Sequence, residues 1–452
     1  MAYWKAISSC RNFYENDQIK MKYYSSNHNT PDVSLEIAVT QGLAADRGLF
    51  MPERINPLPA SFFIEIGTMN FQEISFEVAK KFFGEDVPNQ ILKKIVFDTL
   101  SFDTPLVKVI DNIYSLELFH GPTSAFKDVG ARFMARLLAH FLGKEKKMVH
   151  VLVATSGDTG SAVANGFLGV SGIQVHVLYP KGKVSEIQEK QFTTLGQNIT
   201  ALEIDGTFDD CQALVKSAFM DEDLKKKITI TSANSINVAR FLPQAFYYFN
   251  AWAKLEDKSR KVVFSVPSGN FGNLTAGLFA KRMGLPVSKF IAANNLNDIV
   301  FKYLQTGVYT PLPSISTIAN AMDVGDPSNF ARILDLYQNN HQTIANDIVG
   351  TTYTDDQIRE TLLSVYKTTG YLLDPHGAVG FRALGELLNN GETGIFLETA
   401  HPAKFTETVE QVVGKGNVPM PEKLQAFMKG KKLSIEFPAK YESFRAYLDG
   451  LE

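Results

Sequence analysis

The chain has 452 residues, more than one domain of common size, and its 45% hydrophobic and 21% charged residues are the composition of a folded globular protein rather than a disordered one. A formal net charge of −3 excludes a generally basic surface for nucleic acid or an anionic membrane, and lysine runs such as Lys225 to Lys227 read as solvated helix ends. Cys10 and Cys211 form no CxxC, which excludes a disulfide scaffold or a structural zinc site, and the longest apolar stretches fall short of the ~18 residues of a membrane span.

Residues 1–20 carry charged and polar groups throughout and lack the continuous apolar centre of a secretory signal. They read as a possible extension ahead of Met21, and the protein reads as cytoplasmic. From Val33 to Leu100 apolar residues recur at three and four positions, as in Leu35, Val39 and Leu43 and again between Ile74 and Phe83, which predicts an N-terminal helical unit. From Pro105 onward short apolar or β-branched runs alternate with helical stretches. Strands are predicted at His150 to Ala154, Gln174 to Tyr179, Ile199 to Ile204, Lys261 to Val266 and Gly394 to Leu397. That alternation is the pattern of βαβ units, so the expected class is α/β, with mainly parallel sheets flanked by helices. The expected division is 21–104 for the helical unit, 105–145 with 231–452 for a large α/β domain, and 146–230 for a small one.

In sheets of this kind ligands bind beyond the carboxyl ends of the strands, so the strand-to-helix loops carry the chemistry. Thr155 to Gly160 offers hydroxyls and N–H groups at a helix start, suited to a carboxylate; capping by Ser156 or Asp158 is the structural alternative. Ser268 to Asn273 follows the apolar run Val262 to Val266 and precedes a helix. Its small residues let backbone N–H groups approach an anion, as they also let an ordinary glycine-rich turn form. It is neither a Walker A loop nor a GxGxxG fingerprint. Lys127 stands at the start of a helix through Val129, Phe133, Leu137 and Phe141, where the positive end of the dipole favours a neutral, nucleophilic amine; a solvated surface lysine is the alternative. His120, His376 and His401 all sit in turns or at helix starts and read as structural rather than catalytic.

The segments His120 to Asp128, Thr155 to Gly160 and Ser268 to Asn273, in that order, resemble the fold type II (tryptophan synthase β-like) pyridoxal-phosphate enzymes. Within that class the chain is similar to threonine synthases, through Gly42 to Phe50, Asn234-Ser235-Ile236-Asn237 with Arg240, and Thr399 to Phe405, over about residues 21 to 430. The resemblance implies pyridoxal 5'-phosphate as cofactor, Lys127 as its Schiff-base lysine, and Gly269, Asn270, Phe271, Gly272 and Asn273 around its phosphate. It places the Thr399 hydroxyl at the pyridine nitrogen, although Thr399 would equally serve as an N-cap. Asp158 would face the phenolic oxygen, where related enzymes often carry Asn; an ionised carboxylate would repel a phenolate, so Asp158 is either protonated or turned to substrate or backbone.

The same resemblance assigns Ser156 and Thr159 to the substrate carboxylate, and Ser235, Asn237 and Arg240 to a substrate phosphate, for which the arginine fork is suited. The structural alternative has Asn234 to Asn237 capping a helix with Arg240 exposed on its first turn. The implied reaction turns O-phospho-L-homoserine and water into L-threonine and phosphate. A threonine or serine dehydratase, a β-replacement enzyme, or a non-catalytic metabolite-binding protein on the same scaffold are the alternatives; only the first reading needs a second phosphate site. No metal, nucleic-acid or membrane partner is expected, and the sequence assigns no oligomeric state.

Overall fold

The structure, a computed structural model, describes residues 20–143 and 148–451. Apart from Lys20, the expected extension, and Cys10 with it, lies outside the described residues. Cys211 is a buried free thiol. Among the described residues no helix is long and apolar enough to cross a membrane, and no group of His, Cys, Asp or Glu is placed to hold a metal ion.

In chain order the strands are β1 (Tyr23–Ser25), β2 (Phe50–Pro52), β3 (Leu106–Ile110), β4 (Ile113–Glu117), β5 (Val149–Ala154), β6 (Ile173–Pro180), β7 (Ile199–Asp205), β8 (Thr229–Ser232), β9 (Lys261–Pro267), β10 (Val287–Asn294), β11 (Ile348–Thr352), β12 (Glu392–Glu398) and β13 (Ile435–Pro438). The six-stranded sheet runs β11-β10-β9-β12-β4-β3 and is parallel except for the β3–β4 pair. The five-stranded sheet, β13-β7-β6-β5-β8, is wholly parallel. Helices cover both faces of such sheets, which is why β5, β9 and β12 are buried almost throughout and read in the sequence as mainly apolar without a strict alternation.

The N-terminal unit holds the helices Leu35–Gln41, Ala60–Glu65, Phe71–Phe83 and Asn89–Thr99. It also contains β1 and β2, paired antiparallel from Tyr23↔Pro52 to Ser25↔Phe50; strands this short leave no alternating pattern to read. Leu43, expected on one helical face with Leu35 and Val39, lies beyond the helix. Gly42 adopts the left-handed conformation (φ 73°), which ends the helix and sends Leu43 to the wall of the central cavity. Ile74, Val78, Phe82 and Phe83 share one core with Phe241, Phe246 and Phe279, and the rings of Phe82 and Phe241 meet Phe279 at 6.1 and 5.2 Å. The helical unit is thus packed onto the body that carries the larger sheet.

One boundary differs from the expected division. β13 pairs in parallel with β7, and the helix Tyr441–Asp449 buries Phe444 and Leu448 with Leu202 and Leu214. These last residues, expected with 231–452 in the large domain, belong instead to the smaller sheet, because the run Ile435-Glu436-Phe437 covers the otherwise open edge of β7.

Candidate active site

The carboxyl ends of β5, β8, β9 and β12 open onto one cavity of about 950 Å³, walled also by the turn at Leu43–Leu49 and by the segment around Asn320–Ser328. Lys127 enters it as the first residue of the helix Lys127–Leu142. Its loop is sewn to the end of β12: Phe126 N–H donates to Thr399 O at 2.8 Å, His401 N–H to Ser124 O at 3.1 Å, and Leu118 N–H to Glu398 O at 3.0 Å. The seam places the Lys127 and Thr399 side chains on the same cavity. Among the described residues no carboxylate or carbonyl hydrogen-bonds the Lys127 Nζ, which stands 5.5 Å from the Phe126 ring centroid. Burial lowers its amine to about 8, Asp158 opposes that, and Lys404 and Arg240 reinforce it. The helix start contributes in the same direction.

Beyond β9 the chain passes through Phe271 in a left-handed conformation (φ 60°) into the helix Gly272–Arg282. Among the described residues no carbonyl accepts from the amide N–H groups of Gly269, Asn270, Phe271, Gly272 and Asn273. Asn273 accepts from the Tyr248 hydroxyl at 2.9 Å, and its Nδ2 is buried with no partner among the described residues. An anion is what such orphaned donors at a helix start require. Gly269 matters for space: a Cβ there would lie 2.7 Å from Ala321 O and 2.8 Å from Met322 Cα. The Asn270 side chain has another task, since its Nδ2 donates to Ser235 Oγ at 3.0 Å and its Oδ1 accepts from Ser328 N–H at 2.6 Å. It braces the cradle against two neighbouring segments, leaving its backbone N–H and one side-chain N–H for a ligand.

On the facing wall Ser156 and Thr159 line the cavity, but the loop offers fewer free N–H groups than expected, because the Thr155 hydroxyl takes those of Gly157 (2.9 Å) and Gly160 (2.8 Å). Ser235 lines the cavity as well and accepts from Asn270 and Asn329, both at 3.0 Å. Arg240 is not exposed on a helix turn; it is 3% exposed and borders the cavity. Its Nη1 donates to Lys127 O at 2.8 Å, its Nε has no partner, and no carboxylate pairs with it among the described residues. Burial lowers the guanidinium to about 10.

Two of the expected residues lie off the cavity wall. Asn237, expected to hold substrate phosphate, is fully buried away from the cavity: its oxygen accepts from Ala239 N–H at 3.0 Å, and its amide donates to Val39 O at 2.9 Å and Ser232 O at 3.2 Å. It caps the helix Val238–Phe241 and ties the loop to the N-terminal unit. Asp158, expected beside the cofactor and either protonated or turned to substrate or backbone, does not line the cavity. Its Oδ1 lies 2.6 Å from Lys404 Nζ and accepts from Gln188 Nε2 at 2.8 Å. Burial alone would raise this carboxyl, but Lys404 and Lys127 outweigh burial and hold it below the usual carboxylate range, so it is ionised.

Four residues not expected at the site lie on the cavity or behind its wall, His376 among them, which was read as structural. Arg332, wholly buried, reaches Ser235 O at 2.9 Å, Ile236 O at 2.6 Å and Phe50 O at 3.2 Å, and stacks over Phe241 at 4.1 Å; burial lowers it to about 9. His376 has its Nδ1 2.6 Å from Asp374 Oδ1 and accepts from Ala321 N–H at 3.2 Å through Nε2, contacts that fix the orientation of its ring. Asp323, raised by burial to about 6, accepts from Thr317 and Asn295. Lys404 holds Asp158. Of these only Lys404 and His376 fell in segments that attracted notice in the sequence.

Residues 100–395 match the family described as "Pyridoxal-phosphate dependent enzyme", the class to which a helix-start lysine facing an anion cradle belongs. Residues 22–100 match "Threonine synthase N terminus" and residues 377–448 match "Threonine synthase, C-terminal". The chain is 45% identical over 426 residues to the threonine synthase of Escherichia coli strain K12, covering 94% of this chain and 98% of that one. The crystal structure of threonine synthase from Escherichia coli superposes with a TM-score of 0.90 at 44% identity, covering 96% of this chain and 100% of that one. The structure of PLP-bound threonine synthase from Brucella melitensis superposes at 0.89 with 33% identity, covering 95% and 99%. The chain belongs to the threonine synthase family of pyridoxal-phosphate-dependent enzymes. The unpaired donors at Gly269–Asn273 and the amine of Lys127 suit the phosphate and aldehyde ends of that cofactor.

Gly269→Val is expected to push the Ala321–Met322 backbone and to empty the protein of cofactor on gel filtration while the circular dichroism spectrum stays that of the parent. Full cofactor retention by the folded variant would place the phosphate elsewhere. Asn237→Ala is expected to lower the unfolding free energy by about 1–3 kcal/mol in a urea titration, since it removes a cap and two hydrogen bonds to buried carbonyls. Parental stability with a large loss of substrate affinity would return Asn237 to the cavity.

Proposed function

We propose that the protein converts O-phospho-L-homoserine and water into L-threonine and inorganic phosphate, a lyase reaction that breaks a carbon–oxygen bond to phosphate. The observation that carries this reading is Arg240, a buried guanidinium on the cavity without a carboxylate partner, beside Ser235 and apart from the amide cradle at Gly269–Asn273. A pyridoxal-phosphate enzyme acting on an unphosphorylated amino acid needs one phosphate site; this cavity offers donors for two.

Pyridoxal phosphate, when bound, supplies an aldehyde for amine attachment and a ring that takes up electrons released at the substrate carbons. The protein's part is placement and proton transfer. Gly269, Asn270, Phe271, Gly272 and Asn273 would hold the cofactor phosphate, and the Thr399 hydroxyl would face the pyridine nitrogen. Ser156 and Thr159 take the substrate carboxylate, and Ser235 and Arg240 the γ-phosphate. Lys127 is the attachment lysine and the base at the substrate α-carbon: with its amine lowered to about 8, a useful fraction is neutral near neutral pH and its conjugate acid still returns a proton readily. Loss of protons from Cα and Cβ lets the Cγ–O bond break and phosphate leave onto Arg240; a proton is then returned to Cγ, water adds its hydroxyl at Cβ, and a proton is returned to Cα. We place the protein in the cytoplasm. We further propose a division into a helical unit over 21–104, a large domain over 105–145 and 231 to about 430, and a small domain over 146–230 that the C-terminal strand and helix complete.

Borohydride reduction of the cofactor-loaded protein is expected to fix the cofactor to Lys127, and Lys127→Ala to lose both the adduct and turnover; an adduct on another lysine overturns the assignment. Arg240→Ala removes a charge-assisted pair worth about 1.5–3 kcal/mol, so kcat/KM for O-phosphohomoserine is expected to fall roughly 10- to 100-fold or more. Any slow reaction with serine or threonine should fall much less. Lys127 adduct formation should survive in this variant, and Arg240→Lys should recover only part of the loss, lacking the fork. An unchanged ratio between phosphorylated and unphosphorylated substrates would remove Arg240 from the phosphate site.

A further inference from the structure

Lys404 lies in the turn Pro402–Phe405 after β12, and Asp158 begins the helix Asp158–Phe167 after β5; both are buried, and their charged atoms are 2.6 Å apart. The pair ends on the lysine loop. Lys404 Nζ also donates to Thr123 O at 2.9 Å, a carbonyl that Gln191 Nε2 reaches at 2.9 Å as well, and Thr123 precedes Lys127 by one turn of chain. The N–H and hydroxyl of Thr123 are taken by Asp128, at 2.8 and 2.6 Å. Gln188 Nε2 donates to the same Asp158 Oδ1 at 2.8 Å, and Ser185 Oγ donates to Lys404 O at 3.4 Å. Three segments remote in sequence therefore meet at this ion pair, and nothing in the proposed reaction uses it.

We propose that Asp158 and Lys404 form a positioning pair: Lys404 anchors the Lys127 loop through Thr123, and the Asp158 carboxylate cancels its charge, so that the Lys127 amine faces a neutral unit instead of a bare cation or anion. This rests on Lys127 being the cofactor lysine. The charged groups around that amine are Asp158 from one helix start, Lys404 from the turn after β12, and Arg240 from the helix Val238–Phe241. Around Lys404 stand Asp158, Lys127, Asp128 and Lys423. A carboxylate favours protonation of a neighbouring amine or imine nitrogen and an ammonium disfavours it, so the two members act on the Lys127 nitrogen with opposite signs.

The test is the pH midpoint of the visible absorbance of the cofactor-loaded full chain, which reports proton gain at the Lys127 nitrogen, with borohydride reduction and mass spectrometry of the same samples. Asp158→Asn leaves Lys404 unopposed, and the midpoint is expected to fall by about one pH unit or more; Lys404→Met leaves Asp158 unopposed, and it is expected to rise by a similar amount. In Asp158→Asn/Lys404→Met neither charge remains, and the midpoint returns to that of the parent. A pair that served packing alone would weaken folding in both single variants without moving their midpoints in opposite directions. If a single variant does not fold, Lys404→Arg and the double variant carry the test: both are expected to keep the parent's midpoint, and a displaced midpoint in either overturns the proposal. A Lys127 adduct with single-variant midpoints that stay put or move the same way overturns this inference alone. An adduct on another lysine overturns the assignment of Lys127 and the inference with it.

Discussion

Arg240 and Arg332 are buried guanidinium ions that only neutral acceptors accompany among the described residues. Taking such ions out of water costs several kcal/mol each unless a counter-charge is supplied, and carbonyls return only part of it. The cost is concentrated in one place. Arg332 gathers Ser235, Ile236 and Phe50 around its fork, and so fixes the loop beyond β8 against the N-terminal unit. Arg240 gathers the carbonyl of Lys127 and leaves its Nε without a partner. With the unpaired amides at Gly269–Asn273, the cavity wall holds a surplus of donors and positive charge that anionic ligands would complete.

The rest of the fold serves to hold that surplus in register. Parallel sheets bring the loops after β5, β8, β9 and β12 to one side, as the geometry of strand, helix and strand requires. Hydrogen bonds between the loops then set their spacing. The seam from Phe126 to Thr399 fixes Lys127 against the end of β12, and Asn270, bonded to Ser235 and Ser328, locks the cofactor side of the cavity to the substrate side. The Asp158–Lys404 pair ties the smaller sheet's first helix to the lysine loop. Backbone placement is shared among many weak bonds, while charge placement depends on a few buried side chains.

The strands β5, β6, β7, β9 and β12 were legible because both of their faces are buried, so each is written as an apolar run bounded by turn residues. β1, β2 and β13 are three or four residues long and carry no such run; β13 exists because β7 presents an open edge, which no local pattern announces. At the site, helix starts and small-residue loops have a local signature, so Lys127, Ser156, Thr159 and Gly269–Asn273 could be picked from sequence. Ser235 and Asn237 could not be told apart there: the two are separated by one residue, yet one faces the cavity and the other turns inward to cap its helix and bind Val39. The state of Asp158 depended on Lys404 and the role of Arg332 on Phe50, and contacts between such distant residues leave no trace in spacing.

The reaction proposed for this cavity expels phosphate from the γ-carbon and returns water to the β-carbon. The most direct measurement is to incubate the purified, cofactor-loaded protein with O-phospho-L-homoserine in water enriched in heavy oxygen, and to analyse both products by mass spectrometry. Threonine and phosphate are expected in equal amounts, with one heavy oxygen in the threonine hydroxyl and none in the phosphate, because the carbon–oxygen bond is the one that breaks. Homoserine with label in the phosphate would mean simple phosphate-ester hydrolysis, and 2-oxobutyrate in place of threonine would mean elimination without the return of water; either result would contradict the proposed reaction.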